Sequence, residues 1–428
     1  MLKLVAIADD LTGANDTALQ FAKRQIKSSV HLGLDSSMPA TASDVMVIDS
    51  DSRDMNRQEA YRQVYRIAEI VSGCETECIY KKIDSTLRGN WGAEVKAADD
   101  VFQPELVIIA PAYPVNRRIT MGGYHLLDGQ PLELTEIGNA PKTPVHESYI
   151  PDILQQQVPD AACGVLDFSV MKKGEAMIRN TIEDFLARGI RWIICDIAEE
   201  QNFMTLMDAL RGKKRILWVG SAGLADYISY FYGWEGDCYD MPASRDGPVL
   251  ICAGSVSHTT QQQIKRVCAD TKISMVKLDV QQVLSDADSI NAYGRQIQKM
   301  LAEGKDVLLA SAENDADVRL AVNTGRKYHL SGKEVSEKLA VIMAGIVSRL
   351  NLSMISGMVL TGGDTAVHIC RVLGVEGVEV FQEIMPAVPL GRVEGKISEK
   401  EKVFIVTKAG AFGSPEIFTK ALQAIKNI

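Results

Sequence analysis

Short apolar runs of strand length alternate with helix-patterned segments along almost the whole chain, and no other feature restricts the fold as much. In the first half the runs are Leu4–Ala8, Ser29–Gly33, Val45–Asp49, Cys78–Lys82, Leu106–Ala110, Gly164–Asp167, Trp192–Asp196 and Ile216–Gly220. Helical patterns separate many of them, including Gln58–Val71, Trp91–Val101, Gly174–Arg188 and Glu200–Arg211. In the second half, Pro248–Ala253, Ser274–Leu278, Asp306–Ala310, Gly357–Thr361, Gly377–Phe381 and Lys402–Thr407 alternate with helices near His258–Ala269, Asn291–Glu303, Lys333–Leu350, Thr365–Leu373 and Pro415–Lys426. Such alternation is what a parallel sheet with crossover helices requires, so the chain reads as α/β, each half a largely parallel sheet flanked by helices. At 428 residues it exceeds the size at which one core stops growing, so two domains are expected. Gly, Pro and Asp concentrate between Gly233 and Gly247, which sets the expected division at 1–235, a linker at 236–247, and 248–428.

Bulk composition narrows the function classes. A formal net charge of −9 argues against a general nucleic-acid surface, and an anionic ligand would need local clusters of Lys and Arg. The N-terminal apolar run is broken by Lys3 and ends at Asp9-Asp10, unlike a signal peptide, and no stretch reaches membrane-span length, so a cytoplasmic protein without a membrane partner is expected. The eight cysteines are scattered without Cys-x-x-Cys units, which predicts neither disulfides nor structural zinc.

Polar residues collect where the strands end. Leu4–Ala8 suits a strand buried on both faces, and it runs into Asp9, Asp10, Thr12, Gly13, Asn15 and Asp16 as a helix begins. Ligands of open α/β sheets bind beyond the carboxyl ends of strands, so Asp10 is a candidate functional residue as well as a helix cap. Asp49 to Arg53 follows the third strand, Lys81-Lys82-Ile83-Asp84-Ser85-Thr86-Leu87-Arg88 closes and follows the fourth, and Asn116-Arg117-Arg118 lies beyond the fifth. Parallel strands would gather Arg53, Lys81, Lys82, Arg88 and Arg117 among carboxylates on one edge. That mixture suits a polyhydroxylated anion, with cations for its charge and Asp side chains for its hydroxyls. Between 112 and 162 ten Pro and Gly residues interrupt the rhythm, and the stretch reads as an irregular insertion near the substrate.

The second half offers three glycine turns between strand and helix: Ala253-Gly-Ser-Val-Ser257, Leu360-Thr-Gly-Gly-Asp-Thr365 and Lys408-Ala-Gly-Ala-Phe-Gly413. Glycine lets backbone approach phosphate closely, and a helix start offers unpaired N–H groups, so the three together point to a nucleotide. There is no Walker sequence and no protein-kinase signature set. Asp364 is placed to serve Mg²⁺, to act on an attacking hydroxyl, or merely to cap its helix.

Taken together, Ala8-Asp-Asp-Leu-Thr-Gly-Ala-Asn-Asp16, Asp51-Ser-Arg53, Lys81 to Gly89, Ala110-Pro-Ala-Tyr-Pro114, Gly254-Ser255, Thr361-Gly-Gly-Asp-Thr365 and Lys408 to Gly413 resemble the four-carbon acid sugar kinase family, in order and over nearly the full length. The resemblance implies a sugar-acid-binding N-terminal domain, a nucleotide-binding C-terminal domain, an active site in the cleft between them, and ATP with Mg²⁺ as cofactors. Carried over by position, it puts Asp10, Arg53 and Lys81 to Asp84 at the sugar acid, and Ser255, Thr361, Gly362, Gly363, Asp364 and Gly410 at ATP. Arg53 with Lys81 and Lys82 is expected to neutralise the substrate carboxylate, Asp10 and Asp84 to fix hydroxyls, and the catalytic carboxylate to be Asp364, with Asp10 and Asp84 as alternatives. The Gly-Ala-Asn-Asp and Thr-Gly-Gly-Asp-Thr versions resemble the branch acting on D-threonate, with a 4-phosphate product. D-erythronate, L-threonate and 3-oxo-tetronate are the alternative substrates, and a homodimer is compatible with the reading. Two rivals from other classes are a metal-dependent phosphatase or hydrolase using Asp9, Asp10, Asp84 and a histidine, and a non-catalytic sugar-acid sensor.

Overall fold

The computed structural model describes all residues except 35–36, 40, 141, 238–245, 287, 387 and 396–402. Two compact units result, Met1–Cys238 and Tyr239–Ile428. Most of the expected linker, 236–247, lies outside the described residues.

The N-terminal unit contains β1 (Leu2–Ala8), β2 (Ser28–His31), β3 (Val45–Asp49), β4 (Thr76–Lys82), β5 (Leu106–Ala110), β6 (Arg118–Met121), β7 (Tyr124–Leu127), β8 (Gln130–Pro131), β9 (Cys163–Leu166), β10 (Trp192–Cys195) and β11 (Ile216–Gly220). Eight of them form a sheet in the order β2-β3-β1-β4-β11-β5-β10-β9. Each neighbouring pair runs parallel. Chain direction crosses back and forth about β1, so the loops after β1, β3 and β4 meet at one carboxyl edge. Both faces of β1 are buried: Val5 and Ile7 pack with Met46, Ile48, Val64 and Ile67, while Leu4 and Ala6 are fully buried as well. That double burial is why the strand reads as a continuous apolar run rather than an alternating one.

Residues 112 to 162 are more regular than their Pro and Gly content suggests. They hold the antiparallel sheet β6-β7-β8, several 3-10 turns and the helix Ile150–Gln157. The prolines and glycines mark the turns between these small elements, at Gly122-Gly123 and Gly129 with positive φ, instead of a structureless loop.

The C-terminal unit contains β12 (Val249–Ala253), β13 (Ser274–Lys277), β14 (Val307–Ala310), β15 (Gly357–Thr361), β16 (Val375–Met385), β17 (Val388–Gly395) and β18 (Phe404–Lys408). Its strand order is β13-β14-β12-β15-β18-β17-β16, parallel as far as β18 and antiparallel beyond it. The β16–β17 hairpin is longer than the single expected strand at Gly377–Phe381, and the helix Asp315–Lys327 was not expected at all. The core packs Ile251, Leu308, Val359, Phe404 and Val406 against Phe418 and Ile425 of the last helix, Ile417–Lys426. Each such side chain, fully buried, stabilises the unit by about 1.5–3 kcal/mol.

Candidate active site

At the carboxyl edge of the N-terminal sheet the loop after β3 is stitched to the end of β1. Ser50 N donates to Ala8 O (2.8 Å), and Ser52 N and Arg53 N both donate to Asp9 O (3.0 and 3.2 Å). Asp51 takes a positive φ of 50° and donates its N–H to Asp49 Oδ1, an aspartate turn that brings the chain round sharply enough to do this. Arg53 is thereby aimed back over β1. Its Nε donates to Asp9 Oδ2 (2.6 Å), and its two terminal nitrogens donate to Asp10 Oδ2 (2.6 Å) and Oδ1 (2.8 Å). Asp84 Oδ1 lies 3.5 Å from the same guanidinium.

The loop after β4 closes the other side. Asp84 accepts from Arg88 Nε (2.9 Å) and Nη2 (2.8 Å), and from Thr86 Oγ1 at 2.5 Å. Leu87 is held at φ 60° and is 2 % exposed, a conformation a bulky side chain adopts only when its surroundings dictate it. Gly89, at φ 84°, meets both needs of a glycine: a Cβ there would lie 3.2 Å from Arg53 O and 3.3 Å from Arg53 Cγ. His125, on the insertion, bridges Ser85 O (2.9 Å) and Thr120 Oγ1 (3.0 Å) through its two ring nitrogens. Burial pushes its imidazole down to about 4, so it is neutral at physiological pH and anchors this loop without adding charge.

Successive side chains of a strand point to opposite faces, and this separates the two lysines. Lys81 is fully buried and ion-paired to Glu94 Oε2 at 2.7 Å, with Ser52 Oγ on the other carboxylate oxygen (2.8 Å). It braces the loop from below. Lys82 Nζ donates to Ile83 O (2.7 Å) and stands so close to the helix start that a Cβ on Gly13 would be 2.8 Å from it. Ile83 itself contributes backbone, its N–H to Gly220 O (2.9 Å), and its side chain is core. Arg117 stands apart: it is an exposed side chain on the insertion, paired with Asp128 at 2.8 Å, and shares no partner with the Arg53 web.

The carboxylates differ sharply in basicity. Burial would raise Asp84, but the Arg53 and Arg88 charges, with the Arg88 and Thr86 hydrogen bonds, hold it well below the ordinary carboxylate range. Asp9 is also lowered, its burial outweighed by Arg53, Lys82 and Lys81. Asp10 goes the other way, because burial and the neighbouring Asp9 charge exceed the pull of Arg53. Asp10 also caps the helix Leu11–Ala22, accepting from Gly13 N at 2.7 Å. Asp9 Oδ1 is buried without a hydrogen-bond partner, an acceptor aimed into the same edge.

In the C-terminal unit the three glycine turns lock into one another. Gly254 N donates to Thr361 O (3.1 Å) and Gly362 N to Lys408 O (3.2 Å), which carries the ladder of β12, β15 and β18 into the turns. Ser257 Oγ and Thr260 Oγ1 both donate to Gly410 O (2.8 and 2.9 Å). A Cβ on Gly254 would fall 1.9 Å from Thr365 Oγ1, and one on Gly410 would fall 2.0 Å from Ser255 Oγ. Gly363 faces open space. It is the first residue of the helix Gly363–Val372, whose cap position is Gly362 at φ 99° with no side-chain cap. Asp364 is therefore not the cap that the spacing allowed; it is an exposed residue in the first turn, where its charge favours the helix dipole. The helix begins two residues earlier than expected because glycine at 362 supplies the left-handed turn into it.

Two buried charges, Glu94 and Lys408, lie outside the candidate site residues expected from the sequence. Glu94 is a carboxylate on the buried stripe of the helix Trp91–Phe102, and Lys408 ends an otherwise apolar strand; both were visible as misplaced charges.

Residues 4–228 match the family model described as a sugar-binding N-terminal domain, and 250–418 the nucleotide-binding C-terminal domain. A D-threonate kinase of Salmonella typhimurium is 32% identical across 100% of this chain and 99% of its own length. A D-erythronate kinase of Heliobacterium modesticaldum is 29% identical over 97% and 95% of the two chains. A crystal structure of a Haemophilus influenzae protein, HI1011, superposes with a TM-score of 0.79 at 23% identity, covering 98% of this chain and 100% of that one, and so shares its fold. The chain belongs to the four-carbon acid sugar kinase family. Membership makes it a sugar-acid kinase, and its C-terminal nucleotide-binding domain implies the use of ATP.

Proposed function

We propose that this kinase transfers the γ-phosphoryl group of ATP to D-threonate and releases D-threonate 4-phosphate. The observation that carries the reading is the web at the N-terminal edge, in which Arg53 grips Asp9 and Asp10 and, with Arg88, flanks Asp84. Such a web offers fixed acceptors for hydroxyls and donors for one carboxylate. Similarity to the D-threonate kinase of Salmonella typhimurium, at 32% identity, supports this substrate, and relatives named D-erythronate and 3-oxo-tetronate kinase, at 29% and 26% identity, define the alternatives.

The chemistry divides among the residues as follows. Arg88, with N–H groups beyond those given to Asp84, and Lys82 meet the substrate carboxylate. Arg53 holds Asp9 and Asp10 in place instead of meeting the substrate alone, and Lys81 supports from beneath. Asp10 is the general base: it is part-exposed and its proton affinity is raised, whereas Asp84 is tied into too many hydrogen bonds to accept a proton. Phosphoryl transfer depends mainly on positioning and charge neutralisation, so a modestly basic carboxylate suffices. Among the described residues no group of three or more His, Cys, Asp or Glu side chains could hold a metal by itself. Mg²⁺ in kinases is commonly held by phosphate oxygens and one or two carboxylates, and Asp364 at the exposed helix start is the carboxylate we assign to it. Bound there, Mg²⁺ would supply charge neutralisation on the phosphate chain.

A coupled ADP-release screen over the tetronate stereoisomers, with NMR of the product, tests the proposal. D-threonate should give the highest kcat/KM, with phosphorus coupling to the C4 protons. A higher value for D-erythronate, L-threonate or 3-oxo-tetronate would move the substrate assignment and leave the kinase intact. Phosphate release without ATP, or binding without ADP formation, would favour the hydrolase or the sensor.

A further inference from the structure

Lys408 is 4 % exposed at the end of β18, yet no ion pair to a carboxylate forms on it among the described residues. Its Nζ donates to Thr361 Oγ1 at 2.9 Å and to Gly410 O at 3.3 Å, and sits 5.6 Å from the centre of the Phe418 ring. An ammonium has three N–H donors, and only two find oxygen here. Burial alone, without an opposing acid, pushes the group down to about 8. A cation of this kind is costly unless something anionic completes it. At the edge of the N-terminal sheet two deeply buried charges are matched by counter-charges: Lys81 has Glu94, and Asp84 has Arg88.

The position of the lone cation matters as much as its lack of a partner. The two oxygens that Nζ touches belong to two of the three interlocked turns. Gly410 O is also the acceptor for Ser257 and Thr260, so the ammonium joins the hub on which the turns are assembled. Thr361 leads directly into Gly362 and Gly363, the uncapped helix start whose Gly363 faces open space. A helix start without a side-chain cap and a buried ammonium therefore fall on the same turns, and both call for a polyanion.

We infer that Lys408 is the cation that receives the phosphate chain of the nucleotide, doing from the end of a strand what a Walker lysine does from a phosphate loop. The assignment rests on the kinase reading for the identity of the polyanion. Lys408 contacts ligand oxygens directly, through the N–H that the protein leaves without an acceptor. Its two protein hydrogen bonds aim that N–H and keep the turns together while the site is empty.

Calorimetric titration of the full chain with the non-hydrolysable ATP analogue AMPPNP, with ADP and with AMP, at two salt concentrations, tests the assignment in the wild type, Lys408→Met and Lys408→Arg. In Lys408→Met, AMPPNP and ADP should bind about 10–100-fold more weakly and AMP within about threefold of wild type, as expected for loss of a charge-assisted contact to the distal phosphates. Salt dependence should shrink in the same variant, and Lys408→Arg should recover at least part of both. Thermal unfolding of the ligand-free proteins checks folding: Met removes a buried cation without a counter-charge, so the variant should unfold no earlier than wild type. Should Met unfold earlier, Arg carries the comparison, and unaltered salt dependence with lost affinity in Arg would overturn the assignment. AMPPNP affinity retained in Met, or equal loss for AMP and AMPPNP, would overturn it while leaving the kinase reading in place. A wild type that binds none of the three nucleotides would overturn both.

Discussion

The carboxyl edges of the two sheets handle charge in opposite ways. On the N-terminal edge nearly every charge is answered within the protein: Arg53 by Asp9 and Asp10, Arg88 by Asp84, Lys81 by Glu94. On the C-terminal edge the turns are rich in Gly, Ser and Thr, and the deeply buried cation Lys408 has no acid opposite it among the described residues. The difference follows from the ligands proposed for them. A small sugar acid carries one charge and several hydroxyls, so selectivity requires rigid acceptors and donors fixed by one another. A triphosphate carries several charges and needs backbone at close range, unpaired amides and positive charge that the protein has not already neutralised.

Replacing Arg53 with Ala should have the largest effect, because it leaves Asp9, Asp10 and Asp84 facing one another without their shared cation. Steady-state kinetics should show kcat/KM for the sugar acid falling by about 10³ or more, and unfolding should show a loss of about 3–5 kcal/mol. KM for ATP should change far less, and equal changes in both constants would remove the contrast between the edges.

Asp10→Asn comes next. The amide oxygen can still cap the helix at Gly13, but the amide nitrogen would face an Arg53 donor, so stability should fall by about 1–3 kcal/mol while kcat falls about 10²–10⁴-fold. Asp364→Asn made alongside tests the division of labour: its loss should lessen when Mg²⁺ is raised, and that of Asp10→Asn should not.

Gly254→Ala probes the other edge by shape instead of charge. The new Cβ would overlap Thr365 Oγ1, so the turns must separate, at a cost of about 1–3 kcal/mol measured by denaturant unfolding. Nucleotide KM should rise with sugar-acid KM little changed.

The smallest effect concerns acid. Asp84 binds its proton less readily folded than unfolded, so the stability it contributes is complete above the ordinary aspartate range and is lost as pH falls through its lower folded value. Unfolding curves taken downward from about pH 5 should therefore be steeper for the wild type than for Asp84→Asn. Parallel curves would mean that Arg88 and Arg53 do not hold that carboxylate.

Much of this organisation was legible beforehand. The apolar runs located fourteen strands because a strand buried on both faces leaves a mark that needs no partner to be read. The turns after β1, β4, β12, β15 and β18 stand out as candidate sites because polar and glycine-rich residues there contradict the apolar rhythm around them. Other features were illegible for specific reasons. The small sheet in residues 118–131 is built from strands of two to four residues, too short to show a period. Lys81 and Lys82 looked alike as neighbours, and only their opposite directions from β4 made one a brace and the other a candidate ligand group.

By itself, then, the sequence determined the layer architecture, the family and the stretches that are candidates for the chemistry, because strand burial and turn composition are local properties written residue by residue. Only the tertiary structure decided which charges are used up and which remain available. Whether an arginine meets a substrate or holds two aspartates, and whether a lysine has a counter-ion, depends on side chains that are tens of residues apart in the chain and within 3 Å in the fold. Electrostatic energy falls with distance in space, and the order of residues does not contain that distance.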